Sequence, residues 1–264
     1  MAESLSKKKL EGKVVIVTGG ASGIGEAAAR LFANHGARMV VIADIQDEVG
    51  KRVAESIGLE HASYIHCDVA DEDQVKAMVE WTVQNHRQLD IMLSNAGIGS
   101  RSDQTILDLD FSDLDRLFAI NIRGMAACVK HAARAMVDGH VRGSIVCTAS
   151  VASCTGFDKY IDYFMSKHAT LGLVRSASNQ LGVHGIRVNC VSPFIVATPL
   201  TCHVLGMDPE QAGEVEKIFE PHIPLKGVVL TENHIADALL FLASNDSACV
   251  TGHNLVVDGG FLAS

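Results

Sequence analysis

The sequence predicts an α/β fold of the doubly wound kind: a single domain over residues 1–264, with a parallel seven-stranded sheet and helices on both faces. Two observations carry this prediction and a third places a site on it. Short apolar, β-branched runs alternate with longer helix-forming stretches from one end of the chain to the other. The runs, such as Val14-Val15-Ile16-Val17, lack polar alternation, as expected of strands buried on both faces. A glycine-rich turn, Thr18-Gly19-Gly20-Ala21-Ser22-Gly23-Ile24-Gly25, joins the first run to the helix-forming stretch Glu26-Ala27-Ala28-Ala29-Arg30-Leu31-Phe32.

At such a junction, unpaired N–H groups and the positive end of the helix dipole face outward and favour a phosphate. Alone, a glycine-rich βα turn is weak evidence, because it can be only a tight connection. The second strand, 38–43, adds a carboxylate: it ends at Asp44, placed to accept both hydroxyls of an adenosine ribose. No Arg or Lys stands at Gly20, Ala21, Ser22, Ile45 or Gln46 to hold a 2′-phosphate, and a negative Asp44 would repel one. Turn and carboxylate together predict a Rossmann-type site for NAD rather than NADP, held by Gly19, Ser22, Gly23, Ile24, Gly25, Asp44 and Ile45.

A third strand, 63–67, runs into Asp68-Val69, and a helix over about 72–85 carries Val75, Met78 and Val79 on one face. A fourth strand, 89–94, ends in Asn95-Ala96-Gly97. One long helix is predicted over about 113–136, including Asn121 and the small residues Gly124, Ala126 and Ala127. The fifth strand, 143–148, ends at Ser150; after a loop, a helix over about 160–181 carries Tyr163 and Lys167. A sixth strand covers 187–191, and Leu255-Val256-Val257 is a short seventh. Right-handed crossovers favour the order 3-2-1-4-5-6-7, with ligands beyond the carboxyl ends of the strands. The segment 199–229 breaks the rhythm and reads as a substrate lid, or as a surface excursion.

With 48% hydrophobic residues in 264, the chain can bury a large core. A net charge of −9, with no basic cluster beyond Lys7-Lys8-Lys9, argues against a nucleic-acid surface. The seven cysteines form no CxxC pair and read as reduced thiols, and the twelve histidines lack ligand spacing, so no metal is expected. No apolar leader opens the sequence and no run of about 18 apolar residues occurs, which predicts a soluble, cytoplasmic protein without membrane partners.

The chemistry rests on a few polar residues. Tyr163 and Lys167 are four apart on a predicted helix, hence on one face. A tyrosine hydroxyl ordinarily titrates near pH ~10, too high for a base at neutrality. A neighbouring ammonium, together with a positive oxidised nicotinamide, would lower that value. Ser150 could donate a hydrogen bond to a substrate oxygen, with Ser153 as its competitor. Tyr160 has Phe164, not a cation, at the corresponding spacing. Asn121 could orient water or backbone behind Lys167, or simply bond to its own helix.

The ordered set Thr18-Gly19-xxx-Gly23-x-Gly25, Asp68-Val69, Asn95-Ala96-Gly97, Asn121, Ser150, Tyr163-xxx-Lys167 and Asp258-Gly259-Gly260 resembles the short-chain dehydrogenase/reductase family over nearly the whole chain. The resemblance implies a catalytic tetrad of Asn121, Ser150, Tyr163 and Lys167, with Lys167 also holding the nicotinamide ribose. It further implies Asp68 and Val69 at the adenine, Asn95 in the cofactor cleft, and Val196 and Thr198 at the carboxamide. The family is usually tetrameric, here through the helices bearing Asn121 and Tyr163. Thr148-Ala149-Ser150-Val151-Ala152-Ser153 and the stretch from Val188 to Pro199 are similar to plant members of specialised metabolism, among them isopiperitenol dehydrogenase-like and nepetalactol-related short-chain enzymes.

Departures from the family pattern point to the substrate wall. Phe194 follows Pro193 where glycine is usual, so its ring is expected beside the nicotinamide. Phe164 and Met165 replace small residues, and Phe157-Asp158-Lys159-Tyr160-Ile161-Asp162 replaces a Gly/Pro-rich loop. Phe157, Met165, Phe194, Leu200 and Met207 are the candidate apolar pocket. The implied activity is NAD-dependent oxidation of a small apolar cyclic alcohol or lactol, such as nepetalactol. The alternatives are a cyclase that keeps NAD as scaffold and closes an enol-aldehyde to cis,cis-nepetalactol, and a non-catalytic NAD-binding protein.

Overall fold

The computed structural model describes residues 8–263. Its centre is β1 (Val14–Thr18), every residue of which is buried. Alternation along this strand divides the core: Val15 and Val17 enter one apolar cluster and Ile16 the other, on opposite faces of the sheet. The remaining strands are β2 (Met39–Asp44), β3 (Ala62–His66), β4 (Ile91–Ser94), β5 (Ser144–Thr148), β6 (Arg187–Pro193) and β7 (Asn254–Val257). They form one parallel sheet in the order β3-β2-β1-β4-β5-β6-β7, as the sequence predicts.

The first cluster packs beneath α1 (Gly23–Asn34), α2 (Asp47–Ile57) and a helix at 232–243, with Ala28, Phe32, Val53, Ile235 and Leu239 buried together. The second lies under α3 (Glu72–His86), a helix at 125–138 and the helix that carries Tyr163, through Met78, Met125, Met136 and Val174. Both faces are therefore covered, and the strand ends at Thr18, Asp44, Ser94 and Thr148 open on one edge.

The long helix expected over 113–136 is present and runs unbroken over 111–138, but with a π-helical turn inside it. It consists of α4 (Phe111–Phe118), a π-helical turn over Ala119–Gly124, and α5 (Met125–Asp138). The wider turn lets Asn121 leave the helical ladder and reach the loop after β4, donating from Nδ2 to the Ile98 carbonyl and accepting at Oδ1 from the Ile98 N–H, both at 2.9 Å. The helix α6 (Ile161–Leu181) matches expectation. The 199–229 segment contains no strand: α7 (Pro199–Val204), α8 (Ala212–Phe219) and short 3₁₀ turns fill it, before α9 (Glu232–Ala243).

Candidate active site

The glycine turn lies between β1 and α1 and is braced from behind. A Cβ added at Gly25 would stand 2.0 Å from the Gly19 carbonyl oxygen and 2.7 Å from Asn95 Nδ2, so only glycine lets the helix start so close to the turn. Ser22 is the N-cap of α1, in extended backbone, yet its side chain caps none of the helix's first N–H groups. Those donors are left for an anion, as a dinucleotide pyrophosphate requires. Asp44 ends β2, buried, with Oδ2 accepting from the Ala21 N–H at 3.1 Å and Oδ1 from the Gln46 N–H at 3.0 Å. Its carboxylate thus sits against the turn, and Ile45 beside it is exposed. Tyr64 adds a bond from its hydroxyl to the Asp44 carbonyl at 2.7 Å. Turn, free N–H groups and carboxylate fit a nucleotide.

Asn95, expected in the cofactor cleft, is half-buried and braces the turn. Its Nδ2 donates to the Thr18 and Gly19 carbonyls at 3.1 and 3.3 Å, and its Oδ1 accepts from Thr148 Oγ1 at 2.9 Å. The side chain therefore ties the ends of β1, β4 and β5 together beneath the turn. Asp68 accepts from the Ala70 N–H at 2.9 Å, and Val69 is buried next to it. Val196 is in the core, and Thr198 caps α7 while its Cβ lies 3.4 Å from where a Gly23 Cβ would stand.

At the end of β5, Ser150 opens a short 3₁₀ turn, its Oγ accepting from the Ala152 N–H at 3.2 Å, and it lies near enough to the Tyr163 phenol to favour the ionised form. Burial raises the Tyr163 pKa, and the neighbouring Ser150 hydroxyl lowers it by less. The lowering expected from Lys167 is not present in the protein alone. The ammonium lies 5.5 Å from the centroid of the Tyr163 ring and donates to the Thr148 carbonyl at 2.9 Å. Burial also disfavours its own charge, pulling the Lys167 pKa down to about 8. Asn121 donates to Ser166 Oγ at 3.2 Å, and Ser166 Oγ donates to the Tyr163 carbonyl at 2.8 Å. The four tetrad positions thus converge between β4, β5 and α6, with Asn121 bonded to backbone and to Ser166.

Ser153 is not a rival to Ser150: it is buried, and its hydroxyl donates to the Ser150 carbonyl at 2.6 Å. Tyr160 is the N-cap of α6 in left-handed backbone, φ 59°.

The proposed pocket needs correction. Phe194 is 8% exposed, stacked on Phe261 at 4.2 Å and edge-on to Phe219 at 6.1 Å, so it belongs to the core. Its place at the end of β6 turns the ring into the apolar layer. Phe157 is 66% exposed and stacks on Phe164 at 6.2 Å, where it borders a groove of about 420 Å³ with Ile106, Leu107 and Ile161. Met165 is 43% exposed. Met207 is half-buried after α7, its N–H bonded to the Cys202 carbonyl. Leu200 does approach the loop after β4: a Cβ at Gly99 would stand 3.8 Å from Leu200 Cδ1 and 2.3 Å from Val204 Cγ2. Gly99, Val204, Ser166 and the Ser100–Asp162 bond were not anticipated; Asp162 alone left a trace, as a charge beside Tyr163.

A doubly wound sheet with a glycine turn after its first strand, and a serine, tyrosine and lysine gathered beside the fifth, defines an oxidoreductase of the Rossmann class. A family model described as enoyl-(acyl carrier protein) reductase matches residues 19–262. A (+)-cis,trans-nepetalactol synthase from Nepeta racemosa is 57% identical over 97% of this chain and 93% of its own. The (−)-isopiperitenol/(−)-carveol dehydrogenase of Mentha piperita, named as mitochondrial, is 56% identical over 97% of this chain and 95% of its own. A short-chain type dehydrogenase/reductase from Mycobacterium marinum superposes with a TM-score of 0.87 at 32% identity, covering 98% and 99% of the two chains. The chain belongs to the short-chain dehydrogenase/reductase family, whose members typically use a nicotinamide cofactor. Among the described residues, no helix is long and apolar enough to cross a membrane.

Proposed function

We propose that this chain oxidises a small, apolar cyclic alcohol or lactol with NAD. The observation that carries the reading is the convergence of Ser150 and Tyr163 over a buried Lys167 beside a turn with free N–H groups. Ser150 holds the substrate oxygen, and Tyr163 takes the hydroxyl proton. Lys167 and Asn121 hold the base and the loop after β4 in place. A bound nicotinamide supplies the acceptor for the hydride that leaves the carbinol carbon. Burial raises Tyr163 and Lys167 does not offset it, so the Tyr163 phenolate would depend on the positive charge of an oxidised nicotinamide when bound. The carboxylate of Asp44, with no cation at Ala21, Ser22, Ile45 or Gln46, supports NAD over NADP. The 199–229 segment is read as the lid, since α7 meets the loop after β4 at Gly99.

The substrate class is drawn from the two plant relatives: one is named for the synthesis of nepetalactol, the other as a dehydrogenase of isopiperitenol and carveol. The test is incubation with NAD and a panel of monoterpenoid alcohols and lactols, following absorbance of the reduced nicotinamide. Stoichiometric NADH from at least one member, lost in Tyr163→Phe, supports the reading; no NADH from any member removes it.

A second reading is favoured by the raised Tyr163 pKa. A phenol that stays protonated donates to a developing enolate oxygen without giving up its proton, which suits a redox-neutral cyclase that keeps NAD as scaffold. Product from an enol-aldehyde with no change in nicotinamide absorbance would select it. Assembly as a homotetramer through α4, α5 and α6 is part of the same proposal and is checked by the molecular mass in solution.

A further inference from the structure

The segment 157–162, where bulky and charged residues stand, forms contacts that serve the site from behind. Lys159 Nζ donates to Asp103 Oδ2 at 2.5 Å, and the Ile161 N–H donates to the Gln104 carbonyl at 3.2 Å. Ser100 Oγ donates to Asp162 Oδ1 at 2.5 Å, and the same oxygen accepts the Tyr163 N–H at 2.8 Å. The first contact is surface-exposed and contributes little. The Ser100–Asp162 contact is buried.

Asp162 is the unusual member. It is 0% exposed, and its Oδ2 is buried without a hydrogen-bond partner among the described residues. A buried, half-satisfied carboxylate is costly. Arg116 on α4 feels its charge: burial, with Arg101, pulls the Arg116 pKa down while Asp113 and Asp162 push it up, and Arg116 Nε is likewise buried and unpaired among the described residues. A carboxylate kept under these terms next to Tyr163 calls for a reason.

We propose that Asp162, acting through Ser100, is a positioning residue that locks Tyr163 to the loop after β4. Tyr163 is held at both backbone ends. Its N–H is bound by Asp162, which grips Ser100; its carbonyl is bound by Ser166, which is bonded to Asn121, which grips Ile98. Both routes end on one loop, the loop against which Val204 of α7 packs at Gly99. Tyr163, the loop and the lid contact therefore move as one unit, and Ser100–Asp162 is the tie nearest the phenol's own residue. The proposal rests on Tyr163 being the base of the proposed reaction.

The test compares Ser100→Ala, Asp162→Asn and Asp162→Leu in the full chain. Ser100→Ala removes one bond and keeps the helix start intact; it should lower kcat about tenfold, because small misplacement of a base is costly. The dissociation constant of NADH should stay within about twofold, since the nucleotide turn is untouched. Asp162→Asn keeps an acceptor for both donors and should stay within about threefold of wild-type kcat, whereas Asp162→Leu should lose about a hundredfold. Folded Ser100→Ala and Asp162→Leu proteins with wild-type kcat would overturn the proposal; if Asp162→Leu does not fold, Ser100→Ala decides. Should wild type turn over no alcohol, the reaction fails separately, and the tie is read from hydrogen exchange over 160–166. Exchange faster by about tenfold in Ser100→Ala upholds it, and unchanged exchange overturns it.

Discussion

Replacing Lys167 by Met should abolish turnover and yet relieve the fold. The ammonium is 5% exposed, and burial brings its pKa from an ordinary 10.5 to about 8. Below about pH 8, folded and unfolded chains both carry the proton, and the folded state bears the full cost of the buried charge. Between about 8 and 10.5, the unfolded chain binds more protons than the folded one, so this group makes stability rise with pH. At about 1.4 kcal/mol for each tenfold change in proton affinity, the whole effect is about 3 kcal/mol. The stability of wild type minus that of Lys167→Met should therefore climb by about 3 kcal/mol from pH 7 to pH 10.5. Loss of the bond to Thr148 lowers the variant by about 1 kcal/mol throughout and leaves the slope alone. The thiols of Cys147 and Cys190 are raised by burial in both proteins, and that part cancels; Lys167 lowers both in wild type alone, a smaller effect than burial. Urea unfolding without nucleotide at pH 7, 8.5 and 10 measures the difference. A flat or falling difference would refute the buried-ammonium account of this site.

Other outcomes follow from particular contacts. Gly25→Ala places a methyl against the Gly19 carbonyl, and backbone cannot step aside; NADH affinity, measured by fluorescence titration, should fall about a hundredfold. Gly99→Ala meets Val204 and should raise KM while leaving NADH binding unchanged, and adding Val204→Ala should restore KM. Asn95→Ala frees the Thr18 and Thr148 groups it holds and should cost about 2–4 kcal/mol in urea unfolding. Phe194→Ala removes a ring stacked in the core and should cost about 3–5 kcal/mol of stability, with substrate preference unchanged in a competition assay.

Much of this protein can be read without coordinates, because its main signals are local. An apolar run that lacks alternation must be buried on both faces, so Val14 to Val17 announce a central parallel strand. The glycine turn between strand and helix, and the carboxylate ending the second strand, are set by spacing along the chain and by backbone sterics. Tyr163 and Lys167 share a helix face by helical periodicity alone. What depends on distant partners was not legible. The π-helical turn within the 113–136 helix carries Asn121 to Ile98 across 23 residues, a bond that no periodicity encodes. Phe194 looks like a pocket residue by position, yet its neighbours are Phe261 and Phe219, brought there by β6 pairing with β7 and by α8 folding back. The protonation of Tyr163 and Lys167 is likewise decided by burial, a property of the packed whole. Sequence by itself determined the order of the sheet and the residues gathered at its edge. Tertiary packing alone decided how those residues are held, because hydrogen bonds and desolvation act across space between segments far apart in the chain.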